Sequence, residues 1–139
     1  MLTIESLEAQ LKPLWPGLLG IRLTEAVKDR VVATMMARPD LCTTGAALHG
    51  GAMMAFADTL GAVGTCQNLP HGARTTTVDS TTKFIGSVAQ GSTVVGECIP
   101  FHRGRTTMVW QTLFKSESGK LCAVVTQTQL ILPAREDAR

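Results

Sequence analysis

LHGGAMMAFADTLGAVG, residues 48–64, decides how this chain is read. From Gly50 to Gly64 the only charge is Asp58, and the pattern predicts a helix from His49 to about Asn68 that is apolar almost all round. A helix without a polar face has to be buried on most sides, by its own domain or by a partner. Its alanines and glycines let other elements approach closely. The most apolar piece, residues 52–57, stops at Asp58 and falls far short of the roughly 20 residues needed to cross a bilayer.

Upstream, Ile4, Leu7, Leu11 and Leu14 recur at helical spacing, and Trp15-Pro16-Gly17 is read as the stop of that helix. Two strands are expected at 18–25 and 30–37, joined by a turn at Lys28-Asp29, and residues 39–48 read as loop. Beyond the His71-Gly72 turn the pattern becomes β, with strands expected at 74–86, 92–102, 106–115 and 120–132. Ala89-Gln90-Gly91, Arg103-Gly104 and Ser118-Gly119 read as hairpin-like turns between them. Met108, Trp110 and Phe114 alternate with more polar neighbours, as in a strand with one face on a core. The order helix, two strands, long helix, four strands predicts an α+β fold. In it an antiparallel sheet wraps one central helix, with a short N-terminal helix beside it. We expect one domain over 1–139, with its core at about 18–132.

Composition narrows the function. The chain has 139 residues, 45% hydrophobic and 17% charged, enough for one well-packed domain and no separate module. Thirteen basic against eleven acidic residues give a net charge of +2, and only 4% of residues are aromatic. With no basic stripe or stacking platform, nucleic acid is not an expected partner. The N-terminus places Glu5 and Glu8 before its first Lys, unlike a secretory leader or transit peptide. Cys42, Cys66, Cys98 and Cys122 stand singly and read as reduced packing residues of a cytoplasmic protein. Three scattered histidines, with no i, i+4 pair, argue against a metal site.

Asp58 is the most informative residue. Flanked by Met54, Ala55, Phe56, Ala57, Leu60 and Val63, its carboxylate is costly to bury unless something pairs with it or uses it. Desolvation would raise its pKa toward the range of a general base or nucleophile. A plain structural acid, satisfied by Thr59 or a strand threonine, explains it equally well. His49-Gly50-Gly51 opens the helix, where N–H groups lack intrahelical acceptors and the dipole favours negative charge. Glycine lets an acyl group come close, so the Gly50 N–H can act as an oxyanion-hole donor; the plain alternative is a glycine hinge. His49 reads as an orienting residue rather than a base. Arg103 and Arg105, with His102, occupy a tight hairpin whose guanidinium groups suit phosphates, or are simply a solvated basic turn. Gly50 and Asp58 lie eight residues apart, about 12 Å along a helix at 1.5 Å per residue, so they cannot both touch one carbonyl carbon. Either a loop completes each half-site or a second subunit does.

The LHGG helix, the TVDSTTKF strand at 77–84 and the HRGRTT hairpin at 102–107 together resemble the hotdog-fold acyl-CoA thioesterases. The pattern is most similar to their phenylacetate-degradation (PaaI-type) branch, akin to 4-hydroxybenzoyl-CoA thioesterases. The likeness covers residues 18–132. It implies hydrolysis of an acyl-CoA with an aryl or short-to-medium acyl group, with no cofactor, coenzyme A being part of the substrate. It implies Asp58 as the catalytic carboxylate, Gly50 as the carbonyl donor with Gly51 beside it, and Thr77 near the attacking water. Thr81 is a second hydroxyl candidate, and His102, Arg103 and Arg105 would meet the nucleotide end of coenzyme A. It also implies a side-by-side homodimer in which Asp58 of one subunit faces Gly50 of the other, and a tetramer as a pair of dimers. Thr43 is a departure, since many relatives carry Asn or Gln six residues before the His. A hydratase would need a different Asp–His spacing. A non-catalytic acyl-CoA-binding protein is the remaining alternative, and the missing amide at Thr43 favours it.

Overall fold

Thr3 accepts a hydrogen bond from the Ser6 N–H and so caps the first helix, α1 (Ile4–Leu11), which buries Leu7. The computed structural model describes residues 1–136, so the last three residues of the expected 1–139 span lie outside the described part. The α1 helix stops at Leu11, short of the expected residue 14, because Pro13 has no N–H to continue the helical bonding. Trp15-Pro16-Gly17, read as a stop, instead opens a second short helix, α2 (Trp15–Leu18), with Pro in its first turn. Gly17 allows this turn to fold back, since any β-carbon there would collide with the Lys12 carbonyl.

Strands β1 (Arg22–Val27) and β2 (Arg30–Met36) form the expected hairpin, β1 starting later than expected because residue 18 belongs to α2. The segment read as loop carries a 3-10 turn at Pro39–Leu41 and a small ribbon, β3 (Cys42–Thr43) with β4 (Ala47–Leu48). Gly45 and Ala46 turn that ribbon with φ of 87° and 55°. Then follow α3 (Gly50–Cys66), β5 (Arg74–Phe84), β6 (Thr93–Arg103), β7 (Thr107–Lys115) and β8 (Leu121–Leu132).

One six-stranded sheet runs in the order β1-β2-β6-β7-β8-β5, each neighbouring pair antiparallel. The β6–β7 and β7–β8 turns are hairpins, as expected. The Ala89-Gln90-Gly91 turn is not, because β5 pairs with β8 and β6 with β2 and β7, so the connection crosses the sheet. The α3 helix lies along the inner face. Phe56 packs on Phe114 with ring centroids 4.9 Å apart, and the buried Trp110 indole donates to Thr65 Oγ1 at 2.9 Å. Two helix glycines sit where sheet side chains press in, Gly64 under Trp110 and Gly61 under Gln127.

Three sides of α3 are covered by the chain itself and the fourth is open. Gly51, Met54, Asp58 and Cys66 are exposed on that stripe, with Ala55 and Ala62 half-buried between them. One border of the stripe is formed by α1 and α2. The other is the edge strand β5, which leaves Val78 and Phe84 more than half exposed, with Ile85 just beyond it. Cys98 and Cys122 are buried packing residues and Cys42 is half-buried, whereas Cys66 is exposed. Among the described residues no helix is long and apolar enough to cross a membrane.

Candidate active site

The chemistry starts at the first turn of α3. His49 has extended backbone (φ −64°, ψ 135°) and caps the helix by accepting the Gly51 N–H on Nδ1 at 2.8 Å. Its carbonyl accepts from Ala52 and Met53, and its own N–H donates to the Leu41 carbonyl at 2.9 Å. With Nδ1 committed to Gly51, the imidazole orients the helix start and is not free on that nitrogen to act as a base. These bonds leave one donor over. Among the described residues the Gly50 N–H has no acceptor. The Phe84 ring lies flat enough against Gly50 that a β-carbon there would sit 2.9 Å from Cζ. Gly50 opens into a cleft of about 310 Å³ bordered by Leu48, Met53, Phe84, Ile85 and Val88.

Asp58 sits two turns further along the helix. Its expected burial is not found: the 3.6-residue period carries it onto the open stripe with Met54, while Phe56, Ala57 and Leu60 are buried away from it. What holds it is a strand threonine. Thr77 Oγ1 donates to Asp58 Oδ1 at 2.6 Å. Behind Thr77 stands fully buried Gln129, whose Nε2 donates to Thr77 Oγ1 at 2.6 Å while its Oε1 accepts from Thr75 Oγ1 at 2.9 Å. Asp58 also borders a separate groove of about 230 Å³, lined by Leu7, Leu11, Pro16, Ala62 and Val63. One chain therefore carries a free N–H in one cleft and a held carboxylate in another.

The remaining sequence candidates lie further out. A bulge in β5 between Thr77 and Asp79 shifts the alternation. Thr81 consequently pairs with Thr126 on the outer face, away from α3, and reaches only Asp79. Thr43 stands exposed in the β3–β4 ribbon, paired with Ala47. Its neighbours Leu41 and Cys42 line the cleft at His49 and Gly51, but Thr43 does not. Arg103, Arg105 and His102 are exposed on the β6–β7 hairpin, and Arg103 donates to the Lys28 carbonyl at 3.3 Å. The register from Thr107 to Leu130 to Thr76 puts this hairpin at the Thr77 end of the sheet, away from Gly50.

Sequence reasoning missed Gln129, Thr75 and the contact of Phe84 with Gly50. A signal for Gln129 existed. In β8 the core-facing positions run Ala123, Val125, Gln127, Gln129, so two amides continue an otherwise apolar face.

The model of the Thioesterase superfamily matches residues 45–123. A putative esterase of Deinococcus radiodurans is 38% identical over 103 residues, covering 73% of this chain and 64% of that protein. The 1,4-dihydroxy-2-naphthoyl-CoA hydrolase of Escherichia coli is 29% identical over 131 residues, covering 94% of this chain and 96% of the other. The crystal structure of a thioesterase from Haemophilus influenzae superposes with a TM-score of 0.92 at 27% identity, covering 100% of this chain and 96% of that one.

Proposed function

Because this chain belongs to the thioesterase superfamily and has its hotdog fold, we propose that its reaction is hydrolysis of an acyl-CoA thioester to the free acid and coenzyme A. One observation carries the reading: a helix that presents an unpaired Gly50 N–H at its start and a threonine-held Asp58 two turns on. The free N–H accounts for polarising a thioester carbonyl, and the carboxylate accounts for attack on it. Eight residues of helix separate the two groups, so we assign them to opposite halves of a homodimer, Gly50 of one subunit meeting Asp58 of the partner subunit. The open stripe of α3 and the apolar edge of β5 supply a surface for that pairing. A tetramer of paired dimers is part of the same reading.

In the reaction, Gly50 N–H donates to the carbonyl oxygen as it gains charge. Asp58 takes a proton from water, whose oxygen adds to the carbon; used as nucleophile instead, Asp58 forms an anhydride that water then opens. The C–S bond breaks, and the sulfur leaves as a thiolate that needs no strong acid to help it, which suits a site with one carboxylate. Similarity to a naphthoyl-CoA hydrolase supports an aryl or short-to-medium acyl group and the phenylacetate-type branch. The exposed guanidinium groups of Arg103 and Arg105 suit the phosphates of coenzyme A.

The test is release of free thiol from a panel of aliphatic and aryl acyl-CoAs by wild type and Asp58→Ala. We expect turnover in the wild type and a loss of at least about a hundredfold in the variant. Its folding should be unchanged, because Asp58 is exposed. Binding of acyl-CoA without turnover on any substrate would leave a binding protein, and equal turnover in both forms would mean a different carboxylate acts.

A further inference from the structure

Asp58, Thr77, Gln129 and Thr75 form one unbroken line of hydrogen bonds from the open stripe of α3 into the core. Gln129 is fully buried, beside Met108 of β7, and lines neither cleft. An amide at a core-facing position of a sheet costs stability unless both its ends are satisfied. Here both are, and the direction of each bond follows from chemistry. An ionised carboxylate can only accept, so Thr77 must give its single hydroxyl proton to Asp58 Oδ1. Thr77 then has only lone pairs to offer Gln129, so the group facing it must be the amide N–H. That leaves the Gln129 carbonyl oxygen turned to Thr75, whose hydroxyl lies 2.9 Å from it and 3.1 Å from the Leu130 carbonyl and gives its one proton to the nearer oxygen. The opposite orientation of the amide would leave Thr77 with two acceptors and one proton.

Building on the thioesterase reading, we propose that Gln129 is a positioning residue: it fixes Thr77 as a permanent donor to one oxygen of Asp58 and so leaves the other oxygen as the one that reacts. Thr75 anchors Gln129 in turn. Without the amide, the Thr77 hydroxyl is free to rotate about its side-chain bond and to accept as well as donate. Both carboxylate oxygens then compete for the same role, and the carboxylate swings. Gln129 touches no substrate, so its effect falls on kcat and leaves KM in place.

A double-mutant cycle on the acyl-CoA hydrolysed best by wild type tests this. Gln129→Met, close in shape and lacking the amide, is expected to lower kcat about tenfold with KM nearly unchanged, the size expected for one positioned hydrogen bond. In a Thr77→Val background the same change is expected to cost nothing more, because it acts through Thr77. Multiplying losses in the double variant, or an unchanged kcat in Gln129→Met, would overturn the proposal. Should Gln129→Met not fold, Thr75→Val on the edge strand replaces it: a few-fold drop in kcat, abolished in the Thr77→Val background, is expected, and no drop overturns it. A crystal structure of the Gln129→Met or Thr75→Val protein gives a readout independent of turnover. Thr77 Oγ1 leaving its place on Asp58 Oδ1 is the expected result, and an unmoved Thr77 the contrary one. Absence of wild-type turnover on every thioester would sink the thioesterase reading, whereas wild-type turnover with an indifferent Gln129 would sink only this one.

Discussion

Four thiols occupy three environments, and their chemistry should separate accordingly. Burial pushes the Cys98 thiol up to about 12, and the Cys122 thiol is shut from solvent against the Ser87 and Lys120 carbonyls. In the native protein at pH 8 a thiol reagent is therefore expected to leave Cys98 and Cys122 unmodified until denaturant is added. Labelling of either in the folded state, read by peptide mass, would contradict the packing described. At the same scale, Asp58 was legible as the odd residue of the helix, but its setting was not. Sequence neighbours suggested burial, whereas the helical period turns Phe56, Ala57 and Leu60 inward and Asp58 outward beside Met54. Thr77 entered through family likeness, and Gln129 went unread because an amide in a strand looks like a solvated polar residue unless the alternation of β8 is followed through Gln127. The partner strand's register then places it opposite Thr77.

Among the elements, α3 was the most legible, since a continuous apolar run with its cap at His49 has few other solutions. Boundaries elsewhere gave way to local steric facts, such as Pro13 ending α1 and Pro16 starting α2. The path from β5 to β6 could not be read, because a Gly-containing turn looks the same whether the next strand pairs beside it or crosses the sheet. The glycines of α3 carry a prediction that runs against helix propensity. Ala is the better helix former by up to about 1 kcal/mol, yet Gly61→Ala and Gly64→Ala are expected to destabilise. A methyl at 64 would lie 2.7 Å from the Trp110 ring, and one at 61 would collide with buried Gln127. Overpacking of this kind costs about 1–3 kcal/mol, so each variant should unfold at lower urea with an unchanged slope. A midpoint that rose would show that the sheet yields easily.

For the whole molecule, the separation of Gly50 from Asp58 makes a quantitative statement about assembly. Gly50→Pro removes the free N–H at a first-turn position whose backbone suits proline, the exposed Phe84 ring having to give way to the new β-carbon, and Asp58→Ala removes the carboxylate. Each variant alone is expected to be inactive. Unfolded together and refolded as a mixture, they should recover about a quarter of wild-type activity, since half of the pairs are mixed and each mixed pair holds one intact site of two. No recovery would mean that each chain assembles its own site. A further consequence follows from the four glycines of α3, at 50, 51, 61 and 64. With four glycines among seventeen residues and an apolar face laid on the sheet, this helix draws most of its stability from that packing rather than from propensity. The Gly50 N–H and the Asp58 carboxylate therefore keep their spacing only while the sheet beneath them keeps its shape, so a change deep in that sheet reaches both groups at once.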